Sequence, residues 1–390
     1  MDNTPGVISR LLPRPALLRR MTDRAVLDEV IARGRVTRAE LAEVTGISKP
    51  TISECARRLE AAGVLCTTGT QSGRRGRVAT FYELAPDAGW TLALDLDQDG
   101  VHTLSADLAG THFDLHNRPP VAIGDTDAMV AAIRASVTRA RRIGDARHGP
   151  LRAVALSVAN AVDPQTQEIL ALPNTPFPEG LLRPKEIFRS LGDIPLRVDN
   201  DINCAALAEH RDGAGVGVAN FAYAFIGAGL GVGLYVANHL FRGAHGLAGE
   251  IGYLATATGP AQYSTLVSAL TQQGFGKPGT PVIDVPAILS TLRDAEAGDA
   301  QALETAQLLG AAIGQVIVDT CAVIDPELVL LGGPIGSHPV LLPVARQTVA
   351  QLSPAPVRIE HAALDETVSL QGAKHLALDR ARDDLIAAIA

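Results

Sequence analysis

Hydrophobic spacing changes period several times along the chain, and each change predicts a different element. In "TDRAVLDEVIARG" the residues Val26 or Leu27, Val30 and Ile31 share one helical face and Gly34 supplies a stop. "TRAELAEVTG" opens with Thr37 and carries Glu40 three residues on, a capping box, before ending at Gly46. "ISKPTISECARRLEAAG" starts from Ser48 as N-cap, accommodates Pro50 in its first turn and aligns Ile52, Ala56 and Leu59 on one stripe. Its other face offers Lys49, Thr51, Ser53, Glu54, Arg57 and Arg58. The period then shortens: "GVLCTTGTQSGRRGRVATFYEL" reads as strand, basic tip and strand, with Arg74, Arg75 and Arg77 on the tip.

After the join "LAPDAGW", strand and helix patterns alternate. "WTLALDL" and "VHTLSADL" predict a hairpin, "DAMVAAIRASVTRARRIG" a helix and "LRAVALSV" a strand. "GAAIGQVIVDTCAVID" predicts a buried helix that leads through Pro326 into the strand "LVLLGG". This order is that of an α/β fold. No internal repeat or low-complexity tract is visible.

Two short helices joined by a tight glycine turn, the second with a polar and basic outer face, suit a helix-turn-helix entering the major groove of a double-stranded operator. A plain three-helix bundle would share the helices. It would not require the arginine-tipped hairpin, which reads as a wing able to reach phosphates or a narrow minor groove. Charge agrees: residues 1–84 hold 14 Lys and Arg against 9 Asp and Glu, whereas the other 306 hold 20 against 33, within a net charge of -8.

Composition narrows the class. At 390 residues, with 47% hydrophobic and 19% charged positions, the chain suits a soluble globular protein of two or three domains. Prolines and arginines interrupt "MDNTPGVISRLLPRPALLRRMTD", so no secretory signal is expected. The run "FAYAFIGAGLGVGLYV" is too short and glycine-rich to span a bilayer; a cytoplasmic protein without a membrane partner is expected. Cys55, Cys66, Cys204 and Cys321 are scattered and predict free thiols. "DLDQDG", Asp95 to Gly100, begins like a calcium loop, yet loop position twelve is Ala106 where a bidentate Glu is needed, so a polar hairpin turn is the better reading.

Three further stretches, "RVDNDINCAALAEH", "IGAGLGVGLYVANHLFRGAHGLAGEIGY" and "LVLLGGPIG", together with the winged helix, closely resemble the ROK family of sugar-responsive repressors and sugar kinases. The resemblance rests on glycines at 227, 229, 231, 233, 243, 246, 249 and 252, with Glu250 between the last two, and covers nearly the whole chain. It implies a two-lobed actin-like (ribonuclease H-like) sugar-kinase fold behind a winged helix-turn-helix. The units would be 1–84, 85–200 and 201–390, with the last helix a candidate to return to the first lobe.

The family's kinases wrap ATP phosphates in a glycine- and hydroxyl-bearing first turn, because backbone N–H groups reach an anion only where no side chain intervenes. This chain has Asp97, Gln98 and Asp99 there, and Ala228 where relatives place a threonine. Unscreened, Asp97 and Asp99 would repel a triphosphate. The resemblance further implies sugar contacts from Asn174, Asn200, Asp201 and Glu250. For Asn200 and Asp201 a helix cap is an equal alternative, and one residue can do both. The resemblance adds Tyr253 as a sugar-site residue: it replaces a histidine that in zinc-bearing relatives touches the sugar, so its phenol either takes over that contact or closes part of the pocket. Since the zinc-binding cysteine cluster of relatives does not follow it, no structural zinc or other cofactor is expected. The whole implies a non-catalytic, sugar-sensing DNA-binding regulator, a repressor acting as a homo-oligomer, dimer or tetramer. Its rivals are a repressor controlled by protein docking and a ROK sugar kinase with an accessory DNA-binding domain.

Overall fold

The computed structural model describes residues 15–72, 78–97, 100–122, 125–172, 182–259, 262–277 and 283–389. The first unit comprises α1 (Pro15–Arg33), β1 (Arg35–Thr37), α2 (Arg38–Thr45), α3 (Lys49–Ala61), β2 (Leu65–Ser72) and β3 (Val78–Leu84). Its local chemistry follows the sequence closely. Thr37 accepts from the Glu40 amide while Glu40 accepts from the Thr37 amide, and Ser48 accepts from the Thr51 amide, so both helices start on satisfied donors. Ile52, Ala56 and Leu59 are fully buried beside Val26, Leu27 and Val30 of α1. The hairpin of β2 and β3 is joined by the short β1, which sequence periodicity did not announce, in the order β1-β3-β2.

One expectation is corrected. Arg58 does not belong to the outer face: its guanidinium turns inward to the fully buried carboxylate of Asp23 on α1. A carboxylate with no solvent access must be paired, and this arginine pairs it.

The first lobe contains β4 (Trp90–Asp97), β5 (Gly100–Asp107), β6 (His112–Arg118), α4 (Thr126–His148), β7 (Leu151–Val158), α5 (Pro184–Ile187) and β8 (Leu196–Asn200). Its sheet runs β6-β5-β4-β7-β8, antiparallel across β6, β5 and β4 and parallel from β4 to β8. The strands β4 and β7 are almost wholly buried because both faces of the sheet are covered.

The second lobe follows with α6 (Asp201–Asp212), β9 (Phe221–Ile226), β10 (Leu230–Val236), β11 (His239–Phe241), β12 (Ala255–Gly259), β13 (Gln262–Thr265), α7 (Leu266–Leu270), α8 (Val285–Glu296), α9 (Ala300–Ile324), β14 (Leu328–Gly332), α10 (Gly333–Gly336), α11 (Leu341–Leu352), β15 (Arg358–His361) and α12 (Val368–Ile389). Its sheet is ordered β11-β10-β9-β14-β15, with β14 parallel to both neighbours. The expected buried helix proves to be α9, longer than its apolar run and buried on one face only. Leu309, Ile313 and Ile317 enter the core, while Leu308 and Val323 are 63% and 86% exposed. By length and composition α9 would also pass for a membrane span, but its buried face packs as a core helix does.

Helix α12 ties the three units together. It crosses back onto the first-lobe sheet, where Leu370, Ala373 and Ala377 meet Ala93, Leu104 and Ala155 opposite the face covered by α4. It also presses on α6: a Cβ at Gly372 would stand 1.9 Å from the Cys204 carbonyl oxygen, so only glycine fits. On the other side of α6, a Cβ at Gly233 of β10 would lie 2.6 Å from that of Ala206. The fully buried Glu209 carboxylate accepts from the amides of Ala214, Ala363 and Leu364, fixing the lead into α12. At the far end, Ala381, Leu385 and Ile386 complete the core of the winged helix. Arg24 of α1 pairs with Asp379 and Asp383, and Arg382 donates to the Leu108 carbonyl at 2.8 Å.

Leu385→Ala removes a buried anchor and should cost about 2–5 kcal/mol locally. Calorimetry should show the lowest-temperature transition falling while the second-lobe transition stays in place. Equal displacement of every transition would mean that the units unfold as one.

Candidate ligand cleft and nucleic-acid interface

Between the lobes lies a cleft of about 930 Å³. The β4–β5 hairpin brings Asp95, Asp97 and His102 to it, the segment after β7 brings Asn160, and the start of α6 brings Asn200 and Asp201. Tyr223, Ala228, Glu250 and Tyr253 face them from the second lobe, and Asp365, Glu366 and Thr367 come from the lead into α12. Of the four polar residues the resemblance implied, three therefore meet at one cavity, with Tyr253 at its rim. Asn174 lies outside the described residues, as do Asp99 and the wing arginines Arg74, Arg75 and Arg77.

Asn200 is the N-cap of α6: its Oδ1 accepts from the amides of Ile202 and Asn203 at 2.9 and 3.1 Å, and its Nδ2 donates to the Asn160 carbonyl. The cap and the cleft thus use one side chain. Asp199 beside it accepts from Asn203 and from the Asn200 amide, and its Oδ2 holds Arg242 of the second lobe at 2.6–2.7 Å. This pair fastens the glycine-rich loop that carries Glu250 to the end of β8. Val232 also donates to the Gly249 carbonyl at 2.8 Å, which sets Glu250 against β10.

Carboxyls in the cleft hold their protons unusually well. Burial raises Asp201 to about 8, helped by the charges of Asp95, Glu250 and Asp97 and opposed by the Ile202 amide. Burial likewise raises Asp95 to about 7, and it lifts Glu250. At neutral pH a protonated Asp201 can donate as well as accept, which suits paired hydroxyls. Burial and the Glu250 charge push the Tyr253 phenol up as well.

Asp97 departs from expectation. It does not stand as an unscreened anion: its Oδ1 faces His102 Nε2 at 3.1 Å and accepts from the Gly100 amide at 3.0 Å. The Asp97 hydrogen bond raises the His102 imidazole to about 9, so at neutral pH the ring is cationic and balances the carboxylate. Repulsion of a triphosphate therefore cannot be assigned to Asp97.

Sequence reasoning missed His102, Asn160 and the Asp199–Arg242 pair. The signal for His102 was present in the register: pairing of Asp97 with Gly100 sets it opposite Asp95, on the face that Asp97 shares two residues on. Asn160 follows the carboxyl end of a parallel strand, where α/β folds place ligands.

On the winged helix, Lys49, Thr51 and Arg57 are exposed and Ser53 is partly so. Arg57 pairs with Glu54 on the same surface, a bond a phosphate can replace. Arg38, at the start of α2, also reaches this face and donates to the Ser53 hydroxyl at 3.1 Å. It too escaped the sequence reading.

The ROK family model matches residues 93–265 and 287–380, and a winged helix-turn-helix DNA-binding model matches residues 19–65. The xylose repressor of Bacillus spizizenii is 24% identical over 353 residues, 85% of this chain and 87% of that one. The xylose repressor of Bacillus subtilis is 25% identical over 61% of either chain. Among solved structures, a ROK family transcriptional regulator, homologue of the E. coli MLC protein, superposes with a TM-score of 0.75 at 22% identity, covering 95% of this chain and 98% of that one. A ROK family glucokinase from Streptomyces griseus, in complex with glucose and AMPPNP, reaches 0.57 at 23% identity over 74% of this chain and 99% of its own.

A carboxyl whose folded pKa is raised contributes stability that is complete below its unfolded value and is lost as pH rises through the folded one. Asp201→Asn should therefore raise the melting temperature of the ligand-free protein more at about pH 9 than at about pH 5. A difference that does not change with pH would mean that Asp201 ionises normally in the cleft.

Proposed function

The chain belongs to the ROK family, and from that premise we propose that it is a DNA-binding transcriptional repressor whose kinase-like body senses a sugar without catalysing its phosphorylation. One observation carries the reading: a single helix, α12, begins at a cleft lined by amides and carboxyls and ends in the core of the winged helix. A ligand that alters the cleft end of α12 acts on the element that seats the DNA-binding unit. The mechanism is a population shift, limited in size by the ligand's different affinity for the two arrangements. Relatives named xylose repressors make xylose the first sugar to test. The exposed apolar stripe of α9, with Leu308 and Val323, supports a homodimer, which places two recognition helices against two operator half-sites.

The recognition surface consists of Lys49, Thr51, Ser53 and Arg57 with Arg38, extended by the wing arginines Arg74, Arg75 and Arg77. Lys49→Ala and Arg57→Ala should weaken operator binding while leaving the fold intact, each flattening the slope of log affinity against log salt by about 1. Gel shifts at several salt concentrations read this directly. Arg58→Ala should fail differently, by unfolding the unit through an unpaired Asp23. Full affinity in the Lys49→Ala and Arg57→Ala proteins would remove this face from the interface.

An effector that binds the folded protein raises its melting temperature by mass action. Asp201→Ala should abolish both that rise and the change in operator affinity, with ligand-free DNA binding unchanged. The kinase alternative draws on Asp201, which holds a proton at neutral pH and stands where family kinases place a general base. Protein incubated with ATP, magnesium and a panel of sugars should nevertheless transfer no phosphate, because the sequence has Asp97, Gln98 and Asp99 where family kinases have glycines and a hydroxyl, and Ala228 replaces the hydroxyl of the second loop. Turnover abolished by Asp201→Ala would establish an enzyme instead.

A further inference from the structure

Acidic groups far outnumber basic ones on the cleft walls, although burial keeps several of them protonated in the empty cleft. The described lining presents the carboxyls of Asp95, Asp97, Asp201, Glu250, Asp365 and Glu366, and the one basic side chain among the described lining residues is His102, already held by Asp97. Three backbone donors at the helix starts beside the cleft are also occupied. At the start of α6 the Ile202 amide is taken by Asn200 and Asp201, and the Asn203 amide by Asn200. Before α12 the Thr367 amide is taken by Asp365. A phosphate or carboxylate entering here would meet carboxyls and, among the described lining residues, no arginine or lysine.

Two side chains at the cleft are more than nine-tenths buried and carry an atom with no partner: Asp95, an acceptor through Oδ1, and Asn160, a donor through Nδ2. A buried polar atom without a partner is costly and points to something that completes it. Asp95 also acts electrostatically on Asp201, so a cation beside Asp95 would relieve both carboxyls together. An ammonium supplies that charge and the missing donor at once, and a neighbouring hydroxyl or ring oxygen can accept from Asn160.

We propose that the cleft selects an effector bearing a free protonated amine, an amino sugar or amino polyol, and rejects the phosphorylated form of the same sugar. The proposal rests on the sensor reading and deepens it by naming the ligand's charge. No covalent step is involved. Binding is an ion pair formed inside a partly desolvated site, and it is accompanied by release of the proton that Asp201 holds at neutral pH.

Matched sets test it on the full chain. Each of several pentoses and hexoses is supplied as the parent sugar, the amino-deoxy derivative, its N-acetyl form and the terminal phosphate, and melting shift and titrated affinity are read for all four. The amine should bind about tenfold tighter than its parent, the difference between a charge-assisted and a neutral hydrogen bond. The N-acetyl form should lose that gain and the phosphate should give no shift. Asp95→Asn should erase the preference for the amine while still binding the parent sugar. If the phosphate or N-acetyl member shifts the melt most, or if Asp95→Asn keeps the preference, the charge selection is overturned and the sensor reading stands. If no member of any set shifts the melt, the sensor reading falls and this proposal with it.

Discussion

The fold depends on how closely α6 can be approached from both sides. Gly233 of β10 and Gly372 of α12 bring backbone against that helix at distances no larger side chain allows. Close packing of this kind leaves few positions for α12 relative to α6. The consequence reaches both ends of the molecule. The N-terminus of α6 presents Asn200 and Asp201 to the cleft, and the C-terminal turns of α12 supply Ala381, Leu385 and Ile386 to the winged-helix core. Glu209 adds a polar lock, since its buried carboxylate must keep its three amide donors for the lead into α12 to stay where it is. A rigid element that touches both sites can carry coupling between them.

The cleft itself is a compromise between stability and readiness. Asp95, Asp201 and Glu250 are brought close in a space that disfavours their ionisation, and Asn160 and Asp95 each leave a buried atom unpaired. Such groups oppose folding of the empty protein and reward a ligand that completes them. Asp97 shows the same economy by another route: His102 neutralises it from the neighbouring strand, which leaves the turn polar but not strongly charged at that residue.

What the sequence disclosed was local. The Thr37–Glu40 capping box, Ser48 as N-cap and the stripe of Ile52, Ala56 and Leu59 depend on residues within a turn or two of one another, and each is found where the pattern put it. Asn200, Asp201 and Glu250, which meet at the cleft, could be named together only through the family resemblance, because spacing alone was blind to the fold that joins them. What escaped required a partner from another element. Arg58 looks like a surface residue until Asp23 of α1 is packed beneath it, and α9 looks wholly buried until the lobe proves to cover one side only. Arg242 offers no sign in its neighbours that it will reach Asp199 across the lobes.

Whether α12 joins the cleft to the DNA-binding unit can be read from amide hydrogen exchange on the full protein. Exchange is followed with and without a saturating sugar that raises the melting temperature, and is read separately for the start of α12, its last turns and α1. Altered protection is expected at the cleft end together with a change at Ala381 to Ile386 and in α1, because one packed element carries both. A change confined to the cleft, with the distal turns and the winged helix exchanging as before, would contradict that link.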